Sequence, residues 1–157
     1  ELIIGLAAFL RANRNVFDPP AGLVELDEFW GLGQDIEALP DVFAIVQSAD
    51  GELGLRSQRS SEDTVRADIF LFCRTQNPSP RASSLTKLRQ LVQLLRSPPT
   101  IISMAGVTTP GTEILSLRPV SIEPDQQFAE DNFWGWRVRV EIRFSCKADK
   151  NPLPTFA

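Results

Sequence analysis

The sequence predicts an α+β domain: a single mainly antiparallel, mixed β-sheet ending in a long C-terminal hairpin, packed by an N-terminal helix and one central amphipathic helix. Three observations predict it. Trp134–Cys146 sets seven apolar residues in strict alternation, the period-2 signature of a strand with one buried face. Two earlier segments, DVFAIVQ (41–47) and VRADIFLFCR (65–74), are β-rich and apolar on both parities, as suits strands inside a covered sheet. Between them and the final hairpin, LTKLRQLVQLLRSP (85–98) repeats leucine at helical spacing.

In chain order, Leu2, Leu6, Phe9 and Leu10 recur at three- and four-residue intervals, so residues 2–12 read as a short helix ended by Asn13-Arg14-Asn15. Segment 16–40 is punctuated by Pro19, Pro20, Gly22, Gly31, Gly33 and Pro40 and is expected to be irregular and to lie packed on the domain. Asp41–Gln47 is the first strand, and Asp50-Gly51 signals a turn. The polar stretch Glu52–Asp63 reads as a long loop, expected to be mobile in the free subunit and to order on assembly, because its sparse apolar residues hardly offset the entropy of ordering. Val65–Arg74 follows as a second strand, with Ile69, Leu71 and Cys73 on one side and Phe70 and Phe72 on the other.

Asn77–Arg81 reads as a loop, with Ser83 or Ser84 capping the central helix. Its apolar stripe is Leu85, Leu88, Leu91, Val92 and Leu95, leaving Lys87, Arg89, Gln90, Gln93 and Arg96 outside, and Pro98-Pro99 stops it. Residues 101–104 are a possible short strand. Glu113–Glu123 is a strand whose apolar parity changes near Arg118-Pro119, which predicts a bulge or an edge there. Trp134–Cys146 closes the sheet, with Trp134, Trp136, Val138, Val140, Ile142, Phe144 and Cys146 on its apolar face. The domain spans 1–146, and 147–157, with two prolines, reads as an extended C-terminal arm.

Composition narrows function by exclusion. At 157 residues the chain is long enough to bury its own core. It contains no histidine, which removes Ser-His-Asp triads, Cys-His dyads and Cys/His zinc sites. Apolar runs fall short of the roughly 20 residues of a membrane helix. Leu2–Leu10 lacks the basic start and cleavage site of a signal peptide, although Glu1 rather than Met opens the sequence. Cys73 and Cys146 are expected to be free thiols, with a cross-strand disulfide as the alternative. No motif calls for a catalytic residue, cofactor or metal. Gly31-Leu32-Gly33 lacks the third glycine of a dinucleotide fingerprint. Glu123, Asp125, Glu130 and Asp131 could surround a hard cation at the hairpin tip, but their spacing fits no calcium loop.

The net charge of −4 argues against a dedicated DNA binder. It is unevenly spread: residues 1–63 sum to −8 and residues 64–157 to +4. Such halves can pair within one subunit or between copies in a head-to-tail ring. Arg137, Arg139 and Arg143 line the polar face of the last strand, either solvated or facing an acidic neighbour. With Arg56, Arg59, Glu62 and Asp63 in the polar stretch, and Phe156 in the arm, they are the candidate subunit-interface residues.

The element order carries a resemblance. A short helix leads through an irregular stretch to LPDVFAIVQSADG (39–51), then to VRADIFLFCR, the helix LTKLRQLVQLLRSP and the closing FWGWRVRVEIRFSC (133–146). This resembles the tail-terminator family of long-tailed bacteriophages and related neck and minor tail proteins. The resemblance implies a structural virion protein and not an enzyme. It implies a ring, a hexamer in that family, that caps the tail tube, stops its polymerisation and joins the tail to the head–neck connector. Expected partners are other copies, the tail tube protein and the neck protein, with a sheath as a further candidate. DNA would pass the lumen without specific binding, no membrane is involved, and the protein would reside in the virion after assembly in the host cytoplasm. A different connector or tube-like protein remains open, as does a small metal-dependent hydrolase using the hairpin carboxylates.

Overall fold

The computed structural model describes residues 2–16, 22–23, 41–52, 55–57, 60–74, 80–96, 112–126 and 132–147. Helix α1 (Leu2–Ala12) and a 3-10 turn (Arg14–Val16) precede strands β1 (Gly22–Leu23), β2 (Val42–Glu52), β3 (Leu55–Ser57) and β4 (Ser60–Arg74). Helix α2 (Pro80–Leu95) and the hairpin strands β5 (Thr112–Asp125) and β6 (Phe133–Lys147) follow. The strands form one sheet in the order β1-β2-β4-β6-β5, with β3 pairing back on β4. Among the described strands only β1 runs parallel to its neighbour; β2, β4, β6 and β5 are antiparallel. The expected α+β class, with a mainly antiparallel mixed sheet and two helices, is what the chain adopts. Residues 101–104 and the arm beyond Lys147 lie outside the described residues.

β4 and β6 form the spine. They pair without interruption from Ser60↔Lys147 to Arg74↔Phe133. Alternation puts Ile69, Leu71 and Cys73 of β4 with Val138, Val140 and Ile142 of β6 and Val42, Ala44 and Val46 of β2 on one face. There they meet Leu6, Phe9 and Leu10 of α1 and Leu88, Leu91 and Leu95 of α2 in one core. The other face is divided. At one end Phe43, Ile45, Phe72 and Phe133 are fully buried, and the Phe43 ring lies 5.1 Å from Phe72 and 5.0 Å, edge-on, from Phe133. At the other end it is charged. Gly135 sits at the aromatic end because a Cβ there would lie 2.4 Å from the Phe72 ring and 2.8 Å from the Asp125 carbonyl oxygen.

α1 has the expected bounds. It ends where the Asn13 side-chain amide donates to the Phe9 carbonyl at 2.8 Å, satisfying a terminal acceptor. Four expectations need correction. Asp50-Gly51 is not a turn but part of β2, where the register shifts between Ser48 and Gly51. Glycine is required there because a Cβ would come within 2.9 Å of the Thr64 carbonyl oxygen. Glu52–Asp63 is not one long loop: β2 runs to Glu52, β4 starts at Ser60, and β3 folds back on it between them. Segment 16–40 is not wholly irregular, since Gly22–Leu23 adds a parallel strand to β2.

The central helix, finally, starts at Pro80, inside the segment expected to be a loop. Proline fits a first turn because its missing N–H would have no intrahelical acceptor. Ser84 therefore lies within the helix. It is fully buried and accepts a hydrogen bond from Trp136 Nε1 at 3.1 Å. The buried stripe is Ser84, Lys87, Leu88, Leu91 and Leu95, while Leu85 is 49% exposed. The helix is rotated about one position from the stripe that hydrophobicity alone selects.

Candidate subunit interface

The polar face of β6 carries Arg137, Arg139, Glu141 and Arg143, and the register sets each beside an opposite charge. Arg66 on β4 and Arg118 on β5 flank Glu141, at 3.4 Å and 3.0 Å, and Arg66 also reaches Asp50 on β2 at 3.4 Å. Four strands thus contribute one row of alternating sign, Asp50–Arg66–Glu141–Arg118. One row along, Arg139 Nε and Nη2 donate to the two carboxylate oxygens of Asp68 at 2.8 Å and 3.1 Å. Those hydrogen bonds, and then the Asp68 charge itself, hold the Arg139 pKa above its usual value. Arg137 pairs with Glu123 of β5, and Arg143 with Glu62 of β4.

The candidate residues therefore separate. Arg137, Arg139 and Arg143 share one face, as alternation requires, and each has a carboxylate partner in its own chain. Glu62 joins them through Arg143. Asp63 does not: it pairs in register with Phe144 and is buried on the helix side of the sheet. Arg56 lies on β3, and Arg59 and Phe156 lie outside the described residues. Asp68, Glu123, Glu141, Arg66 and Arg118 complete the rows. Their signal was present as opposite charges on matching parities of β4 and β6, but it is readable only once those strands are known to be neighbours.

The sheet margin at β5 has a different character. Among the described residues no strand pairs with its outer side. Leu115, Val120 and Ile122 are 37%, 43% and 46% exposed, with Arg118 and Glu123 also exposed around them. The expected fault near Arg118-Pro119 is present as both a bulge and an edge. The register shifts between Pro119 and Ser121, and again between Ile114 and Ser116. Prolines 119 and 124 remove two backbone donors. Bulges and prolines on an edge block open-ended strand addition, so β5 offers apolar side chains without a continuous hydrogen-bonding template.

The remaining chemistry is sparse. Cys73 is free and buried. Burial pushes its thiol pKa up to about 11, against a smaller lowering effect of the Lys87 charge, so it is no nucleophile at neutral pH. A Cys73–Cys146 disulfide is excluded by register. Cys73 pairs with Trp134, and Cys146 stands twelve residues further along β6, roughly 40 Å away at strand rise, far beyond disulfide reach. Among the described residues no group of three or more Asp, Glu or Cys side chains is placed to hold a metal. Of the hairpin carboxylates, Glu123 is engaged by Arg137, and Glu130 and Asp131 lie outside the described residues. No described helix is long and apolar enough to cross a membrane. In comparison with known proteins, no family model matches the chain, and no curated protein matches it.

Proposed function

We propose that this chain is a ring-forming structural subunit of a bacteriophage tail, a terminator that caps the tail tube, stops its growth and joins it to the neck. The observation that carries the reading is the β5 margin, where apolar side chains are exposed on a strand blunted by two bulges and two prolines. Such an edge favours a finite side-chain contact over indefinite strand addition. A terminator needs self-association that closes and does not propagate. The element order supports the same reading. So does the charged face: its arginines are balanced by carboxylates within the chain, leaving little excess positive charge to grip passing DNA.

Electron microscopy of the purified protein, alone and with tail tubes, is the test. Closed rings, and tubes that cease to elongate once capped, are expected. Long polymers from the protein alone would indicate a tube protein. A monomer that never engages tubes would reject the reading.

A further inference from the structure

The two margins of the sheet match each other. β1 flanks β2 only at Phe43 and Ala44, so among the described residues no strand lies outside Val46–Glu52. Ser48, Ala49, Asp50 and Gly51 are exposed there. Both margins carry a bulge over the same part of the ladder. Between the steps Thr64↔Arg143 and Ile69↔Val138, β4 and β6 use six residues each. Over those steps β5 uses seven, Ser116–Ile122, and β2 uses seven, Val46–Glu52. The two outer strands therefore keep step with one another, although neither keeps step with its inner neighbour. They also run in opposite directions, because each of the intervening pairings is antiparallel.

We infer that the β5 margin of one copy docks antiparallel beside the β2 margin of the next copy, with Arg118 opposite the neighbour's Asp50. A neighbour in the same orientation, displaced along the row of strands, arrives in this register. Ser121 then meets Gln47 on the charged face, since both stand in the row of Arg139. Ile122 meets Val46 on the helix face, since both stand in the row of Val138. Val120 stands against Ser48 at the bulge. Charge complementarity selects this partner. The row Asp50–Arg66–Glu141–Arg118 ends in opposite charges at the two margins, with the Asp50 and Arg118 side chains 62% and 66% exposed. Arg118 against the next Asp50 continues the alternation from copy to copy. Sizes are complementary too: Val120 and Ile122 are large, whereas Ser48, Ala49 and Gly51 are small. Exposed ion pairs are weak, so the charges set register while cover of the apolar pair supplies affinity. Pro119 breaks any ladder in the middle of the contact, which leaves side chains to carry it. The contact is heterologous, the kind from which rings close. This inference rests on the self-association in the proposed function but not on the tail.

Cysteine cross-linking tests it without tail tubes. Ser48→Cys and Val120→Cys place thiols opposite each other between copies. Within one chain the two sites are three strand spacings apart, about 14 Å, beyond the roughly 7 Å between Cα atoms that a disulfide tolerates. Thermal unfolding establishes that the variants are folded. Under mild oxidation a mixture of the two single variants gives disulfide-linked heterodimers and nothing larger. Each single variant alone stays unlinked, as does the wild type, and the double variant gives a ladder of covalent oligomers. Leu85→Cys, at an exposed leucine on α2, links to neither. Arg118→Glu added to the Val120→Cys chain slows linking about fivefold, and Asp50→Arg added to the Ser48→Cys chain restores it. The inference is overturned if Val120→Cys links to itself, as a two-fold β5–β5 contact would give, or if Ser48→Cys does. It is equally overturned if the mixture stays unlinked or if linking ignores both charge changes. Closed rings in micrographs of an unlinked mixture would keep the ring and discard this contact, so the two failures are distinguishable.

Discussion

Arg139 and Asp68, 71 positions apart in sequence, form a two-pronged ion pair across the β4–β6 ladder, at 2.8 Å and 3.1 Å. The Asp68 side chain is only 10% exposed. The pair fixes which residues of two long strands stand opposite each other. Asp68→Ala leaves the guanidinium without its forked acceptor and is expected to lower stability by about 1–3 kcal/mol. Asp68→Ala combined with Arg139→Ala should cost less than the sum of the two single changes. Urea unfolding of the four proteins checks this, and strict additivity would show the pair to be energetically idle.

Cys73 gives a pH-dependent expectation. Its folded-state pKa, about 11, lies above the ordinary value of 9.0, so the native state holds the neutral thiol while the unfolded state ionises. The stabilisation is complete below pH 9 and is lost as pH rises towards 11. Stability should therefore decline across that window, and Cys73→Ala should flatten the decline. Iodoacetamide should spare Cys73 in the native protein at pH 8 and label it after unfolding.

Gly135→Ala should destabilise the protein by about 1–3 kcal/mol through overpacking, because the new methyl would strike the Phe72 ring. Phe72→Leu in the same chain should recover only part of the loss, since the Asp125 carbonyl oxygen crowds the same methyl at 2.8 Å. Full recovery in thermal melts would place the whole conflict in the ring.

Trp136→Phe removes the donor that Ser84 Oγ receives at 3.1 Å. With Ser84 fully buried, the loss should be about 1–2 kcal/mol beyond the change in ring size. Ser84→Ala should cost less in the phenylalanine background than in the wild type, so that the double variant loses less than the sum of the two single changes. Circular-dichroism melts of both single variants and the double variant decide it.

β6 was legible in the sequence because seven alternating apolar residues admit only one face to the core. α1 was legible because three leucines and Phe9 fall on one helical stripe. The charge rows were not, since they depend on which strands become neighbours. Asp50-Gly51 has turn composition, yet the same glycine serves a bulge where backbone approaches backbone. The face of α2 was misjudged because Trp136 draws Ser84 inward and burial takes in Lys87, whose long aliphatic stem tolerates it. Hydrophobicity counts neither effect.

The β4–β6 spine also sets the order in which the chain can fold. Its ladder joins residues 60–74 to residues 133–147, so the central pairing of the sheet awaits synthesis of a strand about sixty residues further along the chain. Until then β4 has β2 on one side and an open edge on the other, in a segment containing the apolar run Ile69–Cys73. The β5–β6 hairpin is local and can form rapidly, whereas its docking onto β4 closes a long loop and should govern the folding rate. A nascent chain halted before Phe133 thus presents an unpaired apolar strand, the kind of surface that chaperones bind and that aggregates when they do not.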